Sequence, residues 1–153
     1  MNTDRKRRML LKGSLGALAS AGFLTPQLAL AVWPKEAFSA ETVDDAIKAL
    51  FNGNGVTESS AIKIKAPEIA EDGAVVQVEV STTLKNVESI SIIAEQNALP
   101  LVASFELAAS AVPFVSTRIK MNKTSNVVVL IKADGKLYSA KREVIVTIGG
   151  CGG

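Results

Sequence analysis

The chain has 153 residues, 17 Lys and Arg against 15 Asp and Glu, no histidine and a single cysteine. That length fits one ordinary domain. Without histidine, and with one cysteine, Ser-His and Cys-His dyads, haem attachment and structural zinc sites cannot be assembled from this chain alone, so neither a cofactor nor a metal is expected on it.

The N-terminus reads as an export leader. Arg5-Lys6-Arg7-Arg8 forms a basic stretch, an apolar run rich in small residues extends from Leu10 to Ala31, and Ala29-Leu30-Ala31 closes it as a small-x-small cleavage signal. Arg7 and Arg8, followed by Met9-Leu10-Leu11-Lys12, fit the twin-arginine export pattern with Leu10 in place of the commoner Phe. The run is diluted by Gly13, Ser14, Gly16, Ser20 and Gly22, too weakly apolar for a permanent membrane span. Residues 1–31 are therefore expected to be removed, leaving a soluble periplasmic product with no membrane anchor. The leader holds five basic residues and one acidic, Asp4, so the formal charge of +2 turns slightly negative beyond it. A nucleic-acid partner is not expected, because binding phosphate requires an excess of cations.

Residues 32–148 read as one domain. Val43, Ala46, Ile47, Leu50 and Phe51 make one apolar stripe at helical spacing. Thr42 with Asp45 supplies a capping pair, Asp44 and Asp45 suit the first turn, and Asn52-Gly53 stops the helix. Strand patterns follow. Ile62 and Ile64 alternate with Lys63 and Lys65, and Val76, Val78 and Val80 alternate with Gln77 and Glu79. Val87 to Ala94 and Val127 to Ile131 are rich in β-branched residues, Asp134-Gly135 marks a hairpin before Leu137-Tyr138, and Val144 to Ile148 is a closing strand. Turn signals lie at Ala66-Pro67, Asp72-Gly73, Asn97 to Pro100 and Ala111 to Pro113. The spacing predicts an all-β fold: an immunoglobulin-like antiparallel β-sandwich with an N-terminal helix. Pro113 to Val115 is an apolar patch in a predicted loop, either a contact surface or a core-facing turn. Glu71-Asp72 is a turn pair, and no paired-carboxylate site stands out among the scattered acids.

Residues 149–153 form the segment where chemistry concentrates. Gly149, Gly150, Gly152 and Gly153 flank Cys151 on both sides. Glycine leaves the sulfur unshielded and favours no regular structure, so the tail is expected to be a flexible arm. Cys151 follows Ile148 by three residues, a reach on the order of 10 Å at full extension. A backbone that narrow suits entry into a channel of another protein. No cation, histidine or helix N-terminus is adjacent in sequence to favour the thiolate, so activation must come from the receiving enzyme. Three functions fit these features: a covalent carrier, a structural protein joined by a tail disulfide, and a small binding module in which Cys151 is incidental.

The tail after a Val-x-Ile strand resembles the SoxY family of the Sox thiosulfate-oxidising systems. Similar segments are Thr42 to Ala46, Ala66 to Val76, Asn86 to Ile90, Pro100 to Phe105 and Pro113 to Met121. The resemblance implies a sulfur carrier rather than an enzyme, with Cys151 as attachment residue and the four glycines as its arm. It implies a heterodimer with a SoxZ-like subunit. It also implies loading by a SoxXA-like c-type cytochrome, hydrolysis by a SoxB-like enzyme and, where one is present, oxidation by a SoxCD-like dehydrogenase. Haem and metal would belong to those partners.

Overall fold

In the computed structural model the described residues are 34–53 and 55–148. The expected leader 1–31 with Arg7 and Arg8, and the expected arm 149–153 with Cys151, lie outside them. The described chain opens with two helices, α1 (Lys35–Phe38) and α2 (Val43–Phe51). The expected cap of α2 is present: the Asp45 amide donates to Thr42 Oγ1 at 3.1 Å, and the Thr42 hydroxyl donates to the Asp45 carboxylate at 2.7 Å. Asn52 ends α2 in the left-handed region at φ 54°, its amide donating to the Lys48 carbonyl. This is a conformation that asparagine tolerates better than most residues.

The strands are β1 (Val56–Glu58), β2 (Ile62–Lys65), β3 (Ile69–Asp72), β4 (Val76–Thr82), β5 (Val87–Ala94), β6 (Leu101–Glu106), β7 (Phe114–Ile119), β8 (Ser125–Ala133) and β9 (Lys136–Ile148). They form two sheets. The larger runs β1-β9-β8-β5-β6 with β3 also beside β9, and the smaller runs β2-β4-β7. Val76, Val78, Val80 and Ile119 of the small sheet meet Ile90, Ile92, Val129 and Ile131 of the large one in a single buried core. This is the sandwich that the alternating patterns predict.

A second core lies on the other face of the large sheet. There Leu130, Ile93, Leu101 and Leu137 pack against Ala37, Ala46 and Phe51 of the two helices. The strands β5 and β8 are thus covered on both faces, which is why Val127 to Ile131 is a continuous apolar run and Ile90 to Ala94 is broken only by Ser91, rather than alternating. Buried Ser91 interrupts the second face, and its hydroxyl lies 2.9 Å from that of half-buried Ser104 across β5 and β6.

Several details depart from the linear pattern. Leu137-Tyr138 and Val144 to Ile148 belong to one 13-residue strand, β9. The outer edge of β9 is not paired antiparallel. Two short strands join it in parallel, β1 at Leu137 to Ser139 and β3 at Ile145 to Ile148. Neither β1 nor β3 was legible, because one is wholly exposed and the other buries a single residue. The segment Pro113 to Val115 runs into β7, with Val115 in the core and Phe114 half exposed.

At the hairpin end of β9, Asp134 and Gly135 both have positive φ, as a tight two-residue turn requires. Asn86 Nδ2 donates to the Asp134 carboxylate at 2.8 Å, and the Gly135 amide donates to Glu88 at 3.0 Å. Lys132 Nζ lies 2.7 Å from Glu88. The hydrogen bond from Lys132, followed by that from Gly135, holds the Glu88 carboxyl below its ordinary range, and the same carboxylate holds Lys132 above its own. This polar staple closes one end of β9. The arm departs from the other, roughly 40 Å away along the strand.

Candidate functional site

Cys151 and its glycines lie outside the described residues, so the structure defines the root from which they leave. Register pairing of β9 with β8 ends at Val144 opposite Ser125. The last four residues of β9 overshoot the sheet and would fray if nothing else held them. They are held on both edges. On one side Ile69, Ala70 and Asp72 of β3 pair with Ile145, Val146 and Ile148, and the Ile145 amide donates to the Glu68 carbonyl at 2.9 Å. On the other side the Val146 amide donates to Thr124 Oγ1 at 2.9 Å, so a side chain replaces the missing strand. Thr147 Oγ1 adds a bond to the Glu71 carbonyl at 2.9 Å.

The final carbonyl is tied as well. The Gly73 amide donates to the Ile148 carbonyl at 2.8 Å, and the Met121 amide donates to the Gly73 carbonyl at 2.7 Å. The turn carrying Gly73 is set by Asp72, whose carboxylate accepts the Ala74 amide at 2.7 Å. The expected Asp72-Gly73 turn is therefore a clamp on the strand that leads to the cysteine. Burial completes it: Val144 is fully buried in the sandwich core and Val146 packs against it.

Thr124 was not singled out in the sequence, and Gly73 and Thr147 were read only as a turn and a strand residue, because their partners are distant in the chain. The apolar residues of the root were missed for a different reason. Ile69, Val75, Ile145 and Ile148 are exposed by 57, 59, 40 and 62% respectively. An outward-facing isoleucine beside inward-facing Val144 and Val146 is a readable signal, but only once the inward face of β9 is known.

Little around the root can act by itself. Glu71 and Asp72 are exposed on β3, and their structural duties are carried by a carbonyl and a turn. Among the described residues no cluster of three His, Cys, Asp or Glu gathers. Two open depressions of about 400 and 440 Å³ lie on the small sheet, the first lined by Lys65, Ala66, Pro67, Gln77 and Glu79, the second by Gln77, Ser116, Thr117 and Arg118. Neither places a nucleophile beside a base. Among the described residues no helix is long and apolar enough to cross a membrane.

Comparison with known proteins places the chain. No curated protein matches it. Among solved structures, the sulfur carrier protein SoxY from Chlorobium limicola f thiosulfatophilum shares 51% identity and a TM-score of 0.65, covering 74% of this chain and 99% of that one. A superoxide reductase (neelaredoxin) from Ignicoccus hospitalis is similar in fold alone, at 21% identity and a TM-score of 0.50, over 56% of this chain and 80% of that one. The model of the sulfur oxidation protein SoxY matches residues 47–151, from the middle of α2 through the cysteine of the tail. With that match over most of its length, the chain belongs to the SoxY family of sulfur oxidation proteins.

Proposed function

We propose that this chain is a periplasmic sulfur carrier that holds thiosulfate-derived sulfur on Cys151 and presents it to Sox enzymes. The observation that carries the reading is the position of the cysteine. It stands between two glycine pairs, three residues beyond a strand end clamped by β3, Thr124 and Gly73. A rigid root and a side-chain-free tail separate two tasks: the domain fixes where the arm starts, and the glycines let the sulfur reach. Membership of the SoxY family supplies the cargo.

In the loading step a sulfur–sulfur bond forms between Cys151 and thiosulfate. The thiol loses its proton, and two electrons pass to a SoxXA-like c-type cytochrome. In the next step water cleaves the terminal sulfonate from the conjugate, releasing sulfate and a proton and leaving a persulfide on Cys151; a SoxB-like hydrolase fits this reaction. A SoxCD-like dehydrogenase would oxidise the remaining sulfane sulfur. This chain supplies the thiol and the arm, and a SoxZ-like subunit completes the heterodimer. Acid–base chemistry is left to the partners, because no group in the tail sequence favours the thiolate.

Intact mass spectrometry tests this directly. Incubation with thiosulfate and the loading enzyme should add thiosulfate mass to the parent protein and none to Cys151→Ser. A constitutive disulfide-linked species without such adducts would favour the structural reading instead.

The periplasmic location rests on Arg7 and Arg8. Changing both to lysine should hold the chain in the cytoplasm, together with a SoxZ-like subunit that lacks its own leader, as cell fractionation would show. A partner that still reached the periplasm normally would argue against export as a complex.

A further inference from the structure

The strand end that leads to the arm carries little anchorage of its own. Past Val144 the register with β8 stops, and of the four residues that remain only Val146 is even half-buried. On one edge β3 supplies backbone bonds, but it buries only Ala70 and pairs with no strand other than β9 among the described residues. On the opposite edge a hydroxyl stands where a paired residue would be. Thr124 Oγ1 accepts from the Val146 amide at 2.9 Å and donates to the Val146 carbonyl at 3.4 Å. It meets both backbone groups of one residue, as a strand partner does. A hydroxyl can accept and donate at once, whereas a valine of the same shape can do neither.

Release of this segment would change the arm. With Ile148 held, three residues lead to Cys151; with residues 145–148 free, seven would, and the reach of the cysteine Cα would grow from roughly 11 to roughly 25 Å. Beyond the length that spans the gap, a longer tether is a poorer one. The local concentration of a tethered group falls as about the −3/2 power of length, a loss of roughly three- to fourfold here. We propose that Thr124 is a positioning residue for Cys151: its hydroxyl holds the end of β9 and so keeps the arm at three residues. This rests on the carrier reading above and adds a residue, remote in sequence, on which delivery of the sulfur depends. Segments near a chain end open at little cost in free energy, so the loss of one hydroxyl shifts their population.

The test is Thr124→Val in the heterodimer, with Thr124→Ser as the conservative rescue. The reporter is the Ile145 amide, which bonds to the Glu68 carbonyl on the edge away from Thr124. It becomes free to exchange when the segment detaches as a whole. In Thr124→Val its hydrogen exchange, followed by NMR, should quicken roughly five- to tenfold, the scale of one lost hydrogen bond. Amides at the centre of β8 should keep the parent rate. With thiosulfate and the purified loading enzyme, kcat should fall about twofold while KM changes little, and Thr124→Ser should restore both readings. Four glycines inserted after Ile148 reproduce the released length without touching Thr124. That variant should lose kcat by roughly three- to fourfold and keep the parent exchange rate at Ile145.

An unchanged Ile145 amide in Thr124→Val, or a serine variant that failed to restore it, would overturn the hold by the hydroxyl. Parent kcat in the four-glycine variant would overturn the link between arm length and delivery. Faster exchange throughout β8 in Thr124→Val would make Thr124 a residue of the fold and end its positioning role. Turnover that persisted in Cys151→Ser would remove the carrier reading and the positioning role with it.

Discussion

Replacing Gly150 and Gly152 by valine is expected to leave the domain as stable as the parent while lowering Sox turnover by at least about tenfold. The two halves of that result have different physical origins. The described fold closes at Ile148, whose carbonyl is taken by Gly73 and whose neighbours Val144 and Val146 are held in the core. Valine at 150 and 152 removes none of these contacts, so thermal unfolding should coincide with that of the parent. The catalytic half concerns passage. Two β-branched side chains restrict the backbone on both sides of Cys151 and widen a segment that otherwise carries no side chain but the cysteine. Thiosulfate-dependent turnover with the complete enzyme set reads the effect, and Gly150→Ala should fall between parent and double variant. Full turnover by the double valine variant would remove the narrow-arm argument.

The second large effect lies at the opposite face of the large sheet. Leu130 is 1% exposed and packs among Ala46, Phe51, Ile93, Leu101 and Leu137, where the two helices meet β8. Leu130→Ala should cost about 2–5 kcal/mol, the range for truncating a buried leucine and leaving part of the cavity unfilled. Against a total stability of about 5–15 kcal/mol for a domain, that is a large fraction. Urea unfolding followed by circular dichroism should show a clearly lower midpoint with a similar slope. Because Leu130 faces the helices rather than the arm root, activity per folded molecule should hold. A loss below about 1 kcal/mol would mean that the helical layer is not part of the cooperative core.

Both predictions depend on a distinction between what local pattern shows and what it cannot. The α2 helix was legible to its cap, because Thr42, Asp45 and the stripe Val43, Ala46, Ile47, Leu50 and Phe51 act within one turn or two. The alternation Val76, Val78, Val80 was equally plain, since one face of β4 is core and the other is solvent. The run Val127 to Ile131 showed a strand, but its continuity meant a second covered face, and nothing local said that α1 and α2 would cover it. The strands β1 and β3 escaped because they are short and attached by backbone to β9, so side-chain pattern says little about them.

The same division runs through the candidate site. The cysteine between its glycines was readable at once, because an unshielded thiol on a side-chain-free backbone is a property of neighbouring residues and needs no fold. The expected twin-arginine leader rests on a local pattern of the same kind, at Arg7 and Arg8. Tertiary structure alone decided how the arm is rooted: Thr124 in place of a strand, Gly73 on the last carbonyl, and β3 in parallel beside β9, contacts that span 22, 75 and 76 residues of chain. It also paired Ile69 directly with Ile145 across β3 and β9. Covalent neighbours settle what a residue can do chemically, while long-range packing settles which surface surrounds it, and that surface determines what can approach Cys151.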